Sequence, residues 1–146
     1  MGTKTFTVNA ADTVRNAGSA SVAYTVIAVV YDFSGFFQPV DTLPTQNVVK
    51  TGQAVPVKFA LGGNQGMSIF AAGYPTSLLI VCDSGAPAGD IEQTVTAGSS
   101  SLSYDATTGQ YTYVWKTDKA WRAGTGRQLI VRLADGTDHR ANFKFK

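Results

Sequence analysis

Apolar residues recur at every second position over much of the chain, and a period of two is the mark of half-buried β-strands. Residues 4–9 place Phe6 and Val8 on one face. Residues 19–31 start with the same alternation, with Val22, Tyr24, Val26 and Ala28 on one side, and then run into a continuous apolar stretch. A polar turn at 12–18 joins the two into a long hairpin. An isolated two-stranded hairpin is marginal in water, so this one needs something to pack on.

Further along, residues 32–44 hold Phe33, Phe36, Phe37, two prolines and a glycine, and read as an ordered connector. A short strand follows at 48–50. A stronger one spans 54–61, with Val55, Val57, Phe59 and Leu61 pointing one way. Pro56 lies within it, which favours a sheet edge or the start of a strand. Gly62-Gly63-Asn64-Gln65-Gly66 reads as a loop, 77–82 as an apolar strand, and 83–89 as a loop rich in Gly, Pro and Ala. Residues 100–104 and 110–116 flank a longer hairpin turn at 105–109. Residues 127–133 and 137–145 flank Asp135-Gly136, a strong short-range hairpin signal. The pattern predicts nine or ten strands with turns every eight to twelve residues and little or no helix. That spacing implies an all-β, Ig-like antiparallel β-sandwich. The chain is expected to form a single domain over 1–146, with hairpin 4–30 packed on or merged with a module at 31–146. The expected core is Phe6, Val8, Val22, Tyr24, Val26, Val55, Val57, Phe59, Leu79, Val81, Tyr113, Trp115, Leu129, Val131, Leu133, Phe143 and Phe145.

Composition agrees. At 146 residues with 44% hydrophobic content, the chain can bury a core without a metal or disulfide staple. Only 15% of residues are charged, and threonine, serine, glycine and aromatics take their place. Net charge is +2 but uneven: 1–115 balance to −3 and 116–146 to +5. A basic edge of this kind discourages edge-to-edge pairing. An anion-facing patch is the other reading, against which alternating strand positions would split the charges between two faces. Cys82 is the single cysteine, so no intrachain disulfide forms. The longest apolar run, 26–30, is far short of a membrane span. No apolar stretch follows Met1-Gly2-Thr3-Lys4 as a signal peptide would require.

From Tyr31 onward the chain resembles the PxKF module of secreted bacterial proteins. The residues that carry this are Tyr31-Asp32-Phe33-Ser34-Gly35-Phe36-Phe37-Gln38-Pro39-Val40-Asp41, Val55-Pro56-Val57-Lys58-Phe59, Cys82-Asp83-Ser84-Gly85, Tyr111-Thr112-Tyr113-Val114-Trp115-Lys116-Thr117 and Asn142-Phe143-Lys144-Phe145. Residues 4–28 are similar to the last two strands of an Ig-like repeat. The resemblance implies an extracellular or cell-surface accessory domain of a larger protein, with neighbouring domains as partners and no catalytic residues. Family members often carry a second cysteine where Gly126 stands here, so the resemblance implies a bridge to Cys82 that this chain lacks.

The inventory for chemistry is thin. His139 is the only histidine, and Asp138 beside it points to the opposite strand face, so no Ser-His-Asp triad assembles. Cys82 would need His139 beside it to act as a nucleophile. One His and one Cys do not make a zinc site. Asp90 and Glu92 share a face of an extended segment, as glycosidase carboxylates would, but read as solvated charge. Asp83 and Asp90 flank a loop that could hold calcium. Lys58, mid-strand, could form an amide with Asn142 or Asn47, against the plainer reading of a lysine snorkelling outward. Tyr111, Tyr113 and Trp115 share a strand face that reads as core, while Trp121, Tyr74 and Phe70 lie in loop-like contexts and are the candidate ligand-binding residues. The expectation is a non-catalytic module without cofactor or metal. A polysaccharide or cell-wall ligand is one partner it could take, with no nucleic acid and no membrane insertion. The alternative is a structural or assembly domain of a stalk or filament, in which strand 19–31 pairs between subunits or domains, making a homo-oligomer.

Overall fold

The computed structural model describes residues 2–11, 17–26, 29–93, 95–96 and 102–146. The chain divides into two compact units, Met1–Val30 and Tyr31–Lys146. The first is a hairpin of β1 (Gly2–Ala11) and β2 (Ala17–Val26), paired in continuous register from Gly2↔Val26 to Ala11↔Ala17. That register puts Lys4, Val8 and Val22 on one face and Thr5, Thr7 and Ser21 on the other. On the polar face Thr7 and Ser21 hydroxyls bond across the strands at 3.0 Å. Val8 and Val22, expected in the core, are 52% and 65% exposed, because alternation tells which face is apolar and not what covers it. Most of the expected turn at 12–18 and the side chains of Phe6, Tyr24, Val26, Asp90 and Glu92 lie outside the described residues.

The second unit is an all-β sandwich. One sheet runs β3 (Ser34–Phe37), β5 (Ala54–Ala60), β10 (Gln110–Lys116) and β8 (Val95–Thr96), with β9 (Leu102–Asp105) also paired to β10. The other runs β4 (Gln46–Val49), β12 (Asp138–Phe145), β11 (Gly126–Arg132), β6 (Thr76–Ile80) and β7 (Pro87–Gln93). Every pair is antiparallel except β4 with β12. Between the sheets lie Val55, Val57, Phe59, Tyr111, Tyr113 and Trp115 from one side and Leu129, Val131, Leu133, Ala141, Phe143 and Phe145 from the other. The alternation at 54–60 and 110–116 thus reads directly onto the core. Pro56 also finds its place: β3 pairs with β5 only down to Lys58, leaving the Pro56 stretch unpaired on that side, where its missing N–H removes no ladder bond.

The structure departs from the expectation in three places. The 32–44 connector contains β3, and the glycine- and proline-rich 83–89 loop runs into β7. Leu79 is half-buried and Val81 is 48% exposed, while Leu78 and Ile80 form a second small cluster with Ile130 and Tyr74. Opposite the inward Arg127, Leu79 does take the inward parity, but it stays half-buried while the outward Leu78 and Ile80 are the residues that are covered.

Candidate functional site

The three candidate aromatics do not meet. Phe70 pairs as an isolated bridge with Leu133 and packs on Phe59 and Tyr113, with centroids at 6.2 and 5.5 Å. Tyr74 lies on the outer face of the second sheet, against Leu78, Ile80 and Ile130, with the Arg132 guanidinium 4.8 Å above its ring. Trp121 closes the opposite end of the sandwich against Trp115 and Phe145, with the Arg127 guanidinium 3.8 Å over its ring. Arg127 and Arg132 are five strand positions apart, roughly 17 Å. No shared stacking platform results. The Tyr111–Tyr113–Trp115 stripe is core throughout. Tyr111 keeps its hydroxyl satisfied at the sandwich rim: it accepts from Gln65 N–H (2.6 Å) and donates to Gly66 O (2.9 Å).

Alternation divides the strand cations unequally between the two faces, with one turned inward and the rest outward. Inward positions belong to the core, so Arg132, Arg140 and Lys144 all take outward ones. There Arg132 holds Asp138 through Nε and Nη2, Arg140 reaches both Asp138 and Gln128, and Gln128 donates to Asn142 at 2.9 Å. The Arg132 hydrogen bond, helped by Arg140, keeps the Asp138 carboxyl below its ordinary range. These polar groups are paired with one another, which suits a scaffold more than a reactive centre. Arg127 is the exception among the strand arginines, turned inward and buried over Trp121.

His139 stacks parallel on Phe33 at 3.5 Å, and its Nε2 lies 3.1 Å from Thr137 Oγ1. Asp135 accepts from Thr137 and, at 3.0 Å, from Tyr31 N–H, tying the start of the sandwich to the β11–β12 turn. Burial lowers the His139 pKa, although Asp135 and Asp138 pull the other way. A histidine whose folded value lies below its unfolded 6.5 contributes stability above pH 6.5 and loses it as pH falls through the folded value. Urea midpoints are therefore expected to drop between pH 7.5 and pH 5, and His139→Gln to flatten that slope. Asp105, Asp135 and Asp138, all lowered from 3.8, act only at more acidic pH. An unchanged slope in the variant would remove His139 as the cause.

The remaining candidates separate as well. Cys82 lies beside Gly124 and Gly126, at the far end of β11 from Val131, the partner of His139. Lys58 alternates with the inward Val57 and Phe59, so it leaves the outer face of its own sheet. Asn142 projects from the outer face of the opposite sheet, and Asn47 is engaged with Asp41 and Asn142 O, so neither can meet Lys58. Among the described residues no three His, Cys, Asp or Glu side chains converge as metal ligands. Sequence reasoning missed the strap at 81–86, which folds over the outer face: Gln46 donates to Cys82 O at 2.7 Å, and Cys82 Sγ lies where a side chain at 126 would start. The +5 balance of the last 31 residues reads as a basic edge or an anion-facing patch without saying where the cations gather; Lys116, Lys119 and Arg122 come to the same end as Lys50. No family model, no curated protein and no solved structure matches this chain.

Proposed function

We propose that the chain is a non-catalytic accessory module of a larger extracellular or cell-surface protein, in which a self-contained sandwich carries a strand pair for assembly with a neighbouring domain or subunit. One observation carries this reading. In the β1–β2 hairpin Val8 and Val22 share one face, which Lys4 also takes, and both valines stand exposed. Two strands alone are marginal, and a hairpin that pairs with no other described strand and exposes two valines on one face invites a third strand or a second sheet. The enzyme alternative draws no support, since among the described residues no nucleophile, base and orienting group converge. A sugar platform of stacked coplanar aromatics draws little: the large hydrophobic residues standing exposed among those described are aliphatic.

Light scattering over a hundredfold range of concentration tests the proposal. The full chain is expected to associate reversibly. Val8→Glu with Val22→Glu is expected to leave it monomeric without shifting the melting of the sandwich. A parent chain that stays monomeric throughout would sink the assembly reading.

A further inference from the structure

Cations gather at one end of the sandwich on a tied-down frame. The turn at 50–53 and the loop at 117–125 are joined there: Thr117 donates to Gln53 O from both its N–H (3.1 Å) and its hydroxyl (2.8 Å). Asp118 holds Ala120 N–H at 2.8 Å, Thr125 Oγ1 donates to Arg122 O at 2.7 Å, and Gly124 and Thr125 pair with Phe145. Gly52 has φ +74, and any side chain on it would run into Lys119 Cγ, so the glycine lets the Lys119 stem lie across the turn. On this frame Lys50, Lys116, Lys119 and Arg122 are all exposed, with Asp118 the one acid in these two segments. The opposite end carries Asp32, Asp105 and Asp135. The ion pairs on the outer sheet face, Arg132–Asp138 and Arg140–Asp138, belong to neither group.

We propose that this basic end is a docking surface for an acidic polysaccharide, a proposal that rests on the extracellular reading above. Exposed cations are individually weak partners. Four carried on one tied-down rim set up a local positive potential and bind a polymer that repeats its negative charge, with release of its counterions. The end offers no free ring for base stacking, because Trp121 is covered by Arg127 and packed on Trp115 and Phe145. The large apolar side chains exposed next to this frame are valines, Val48 two residues before Lys50 and Val81 beside Cys82, with none of the aromatic or leucine bulk that inserts into a lipid surface. A charge-repeating, hydroxyl-rich chain is what remains.

Affinity electrophoresis of the full chain in gels containing polygalacturonate, with dextran as the neutral polymer, tests this directly. Retardation is expected with polygalacturonate alone, weakening on the order of tenfold between 50 and 200 mM salt. Lys119→Glu with Arg122→Glu is expected to weaken it at least tenfold. Lys4→Glu with Lys58→Glu, which changes net charge equally, is expected to change it less than threefold. Absence of retardation, equal retardation by dextran, or equal loss in both double variants would overturn the proposal. Tighter binding to a DNA fragment or to phosphatidylglycerol vesicles than to polygalacturonate would instead count against the extracellular reading beneath it. Association through the hairpin is read by light scattering on the parent chain and on the Lys119→Glu with Arg122→Glu variant, whose changes lie in the sandwich and leave the hairpin untouched.

Discussion

Trp115→Ala is expected to destabilise the sandwich by about 3–5 kcal/mol and to lower its melting temperature by on the order of 10–20 °C. Trp115 is fully buried, with Phe143 at 4.8 Å, Trp121 at 6.0 Å and Phe145 at 6.5 Å between ring centroids. Alanine leaves a cavity walled by aromatic rings, which cannot collapse inward without breaking their own edge-to-face contacts. One feature tempers the loss. The indole Nε1 is buried without a hydrogen-bond partner, and a donor in that state costs about 1–3 kcal/mol. Trp115→Phe is therefore expected to be much the milder change, because it sheds that donor while keeping a ring in place. Thermal unfolding followed by circular dichroism decides the matter. A melting temperature that alanine leaves unchanged would mean that the strand face is not the core.

The fate of Trp115 illustrates which parts of the fold were legible. Where one strand face met the core and the other met solvent, as at 54–60 and 110–116, period-two alternation named the buried residues correctly. It failed where that condition failed. In β6 parity places Leu79 inward, opposite Arg127, yet Leu79 is half-buried and the outward Leu78 and Ile80 are covered by Ile130 and Tyr74, which alternation does not foretell. β3 is four residues long and sits among glycine, prolines and three phenylalanines, so no alternation could build up. Phe33, just before it, and Phe36 within it nonetheless pack edge to face at 5.4 Å, with Phe33 stacked on His139 of β12. In the hairpin the apolar face was legible and its solvent exposure was not, because exposure depends on what lies opposite. The candidate aromatics were chosen singly from loop contexts. Their separation depends on which ends the loops reach, and that follows from sheet order and not from local sequence. The charge imbalance was visible, but its placement needed two distant turns to be tied together through Thr117 and Gln53.

Gly126→Cys is expected to have the second large effect, and of opposite sign. A Cβ built on Gly126 would lie 2.8 Å from Cys82 Sγ, which puts a sulfur on that carbon within bonding reach. Gly126 has no positive φ to resist a side chain, although Ile80 Cγ1 and Ile80 O, each at 3.1 Å, must give slightly. The bridge would pin the 81–86 strap to β11 and close a loop of roughly 45 residues, for which chain entropy gives an upper figure of about 4 kcal/mol. Crowding by Ile80 takes back part of that, so about 2–3 kcal/mol is expected in the oxidised protein. Gly126→Ala supplies the control, since it imposes the same crowding without the bond and is expected to melt at or below the parent. Thiol titration after mild oxidation should find no free thiol in Gly126→Cys, and reduction should drop its melting temperature to that of Gly126→Ala. Two titratable thiols, or an oxidised form that melts no higher than the reduced one, would show that Cys82 does not face position 126. The same result would withdraw support from the likeness of the 82–85 stretch to a disulfide-closed module, because that likeness requires the two positions to meet.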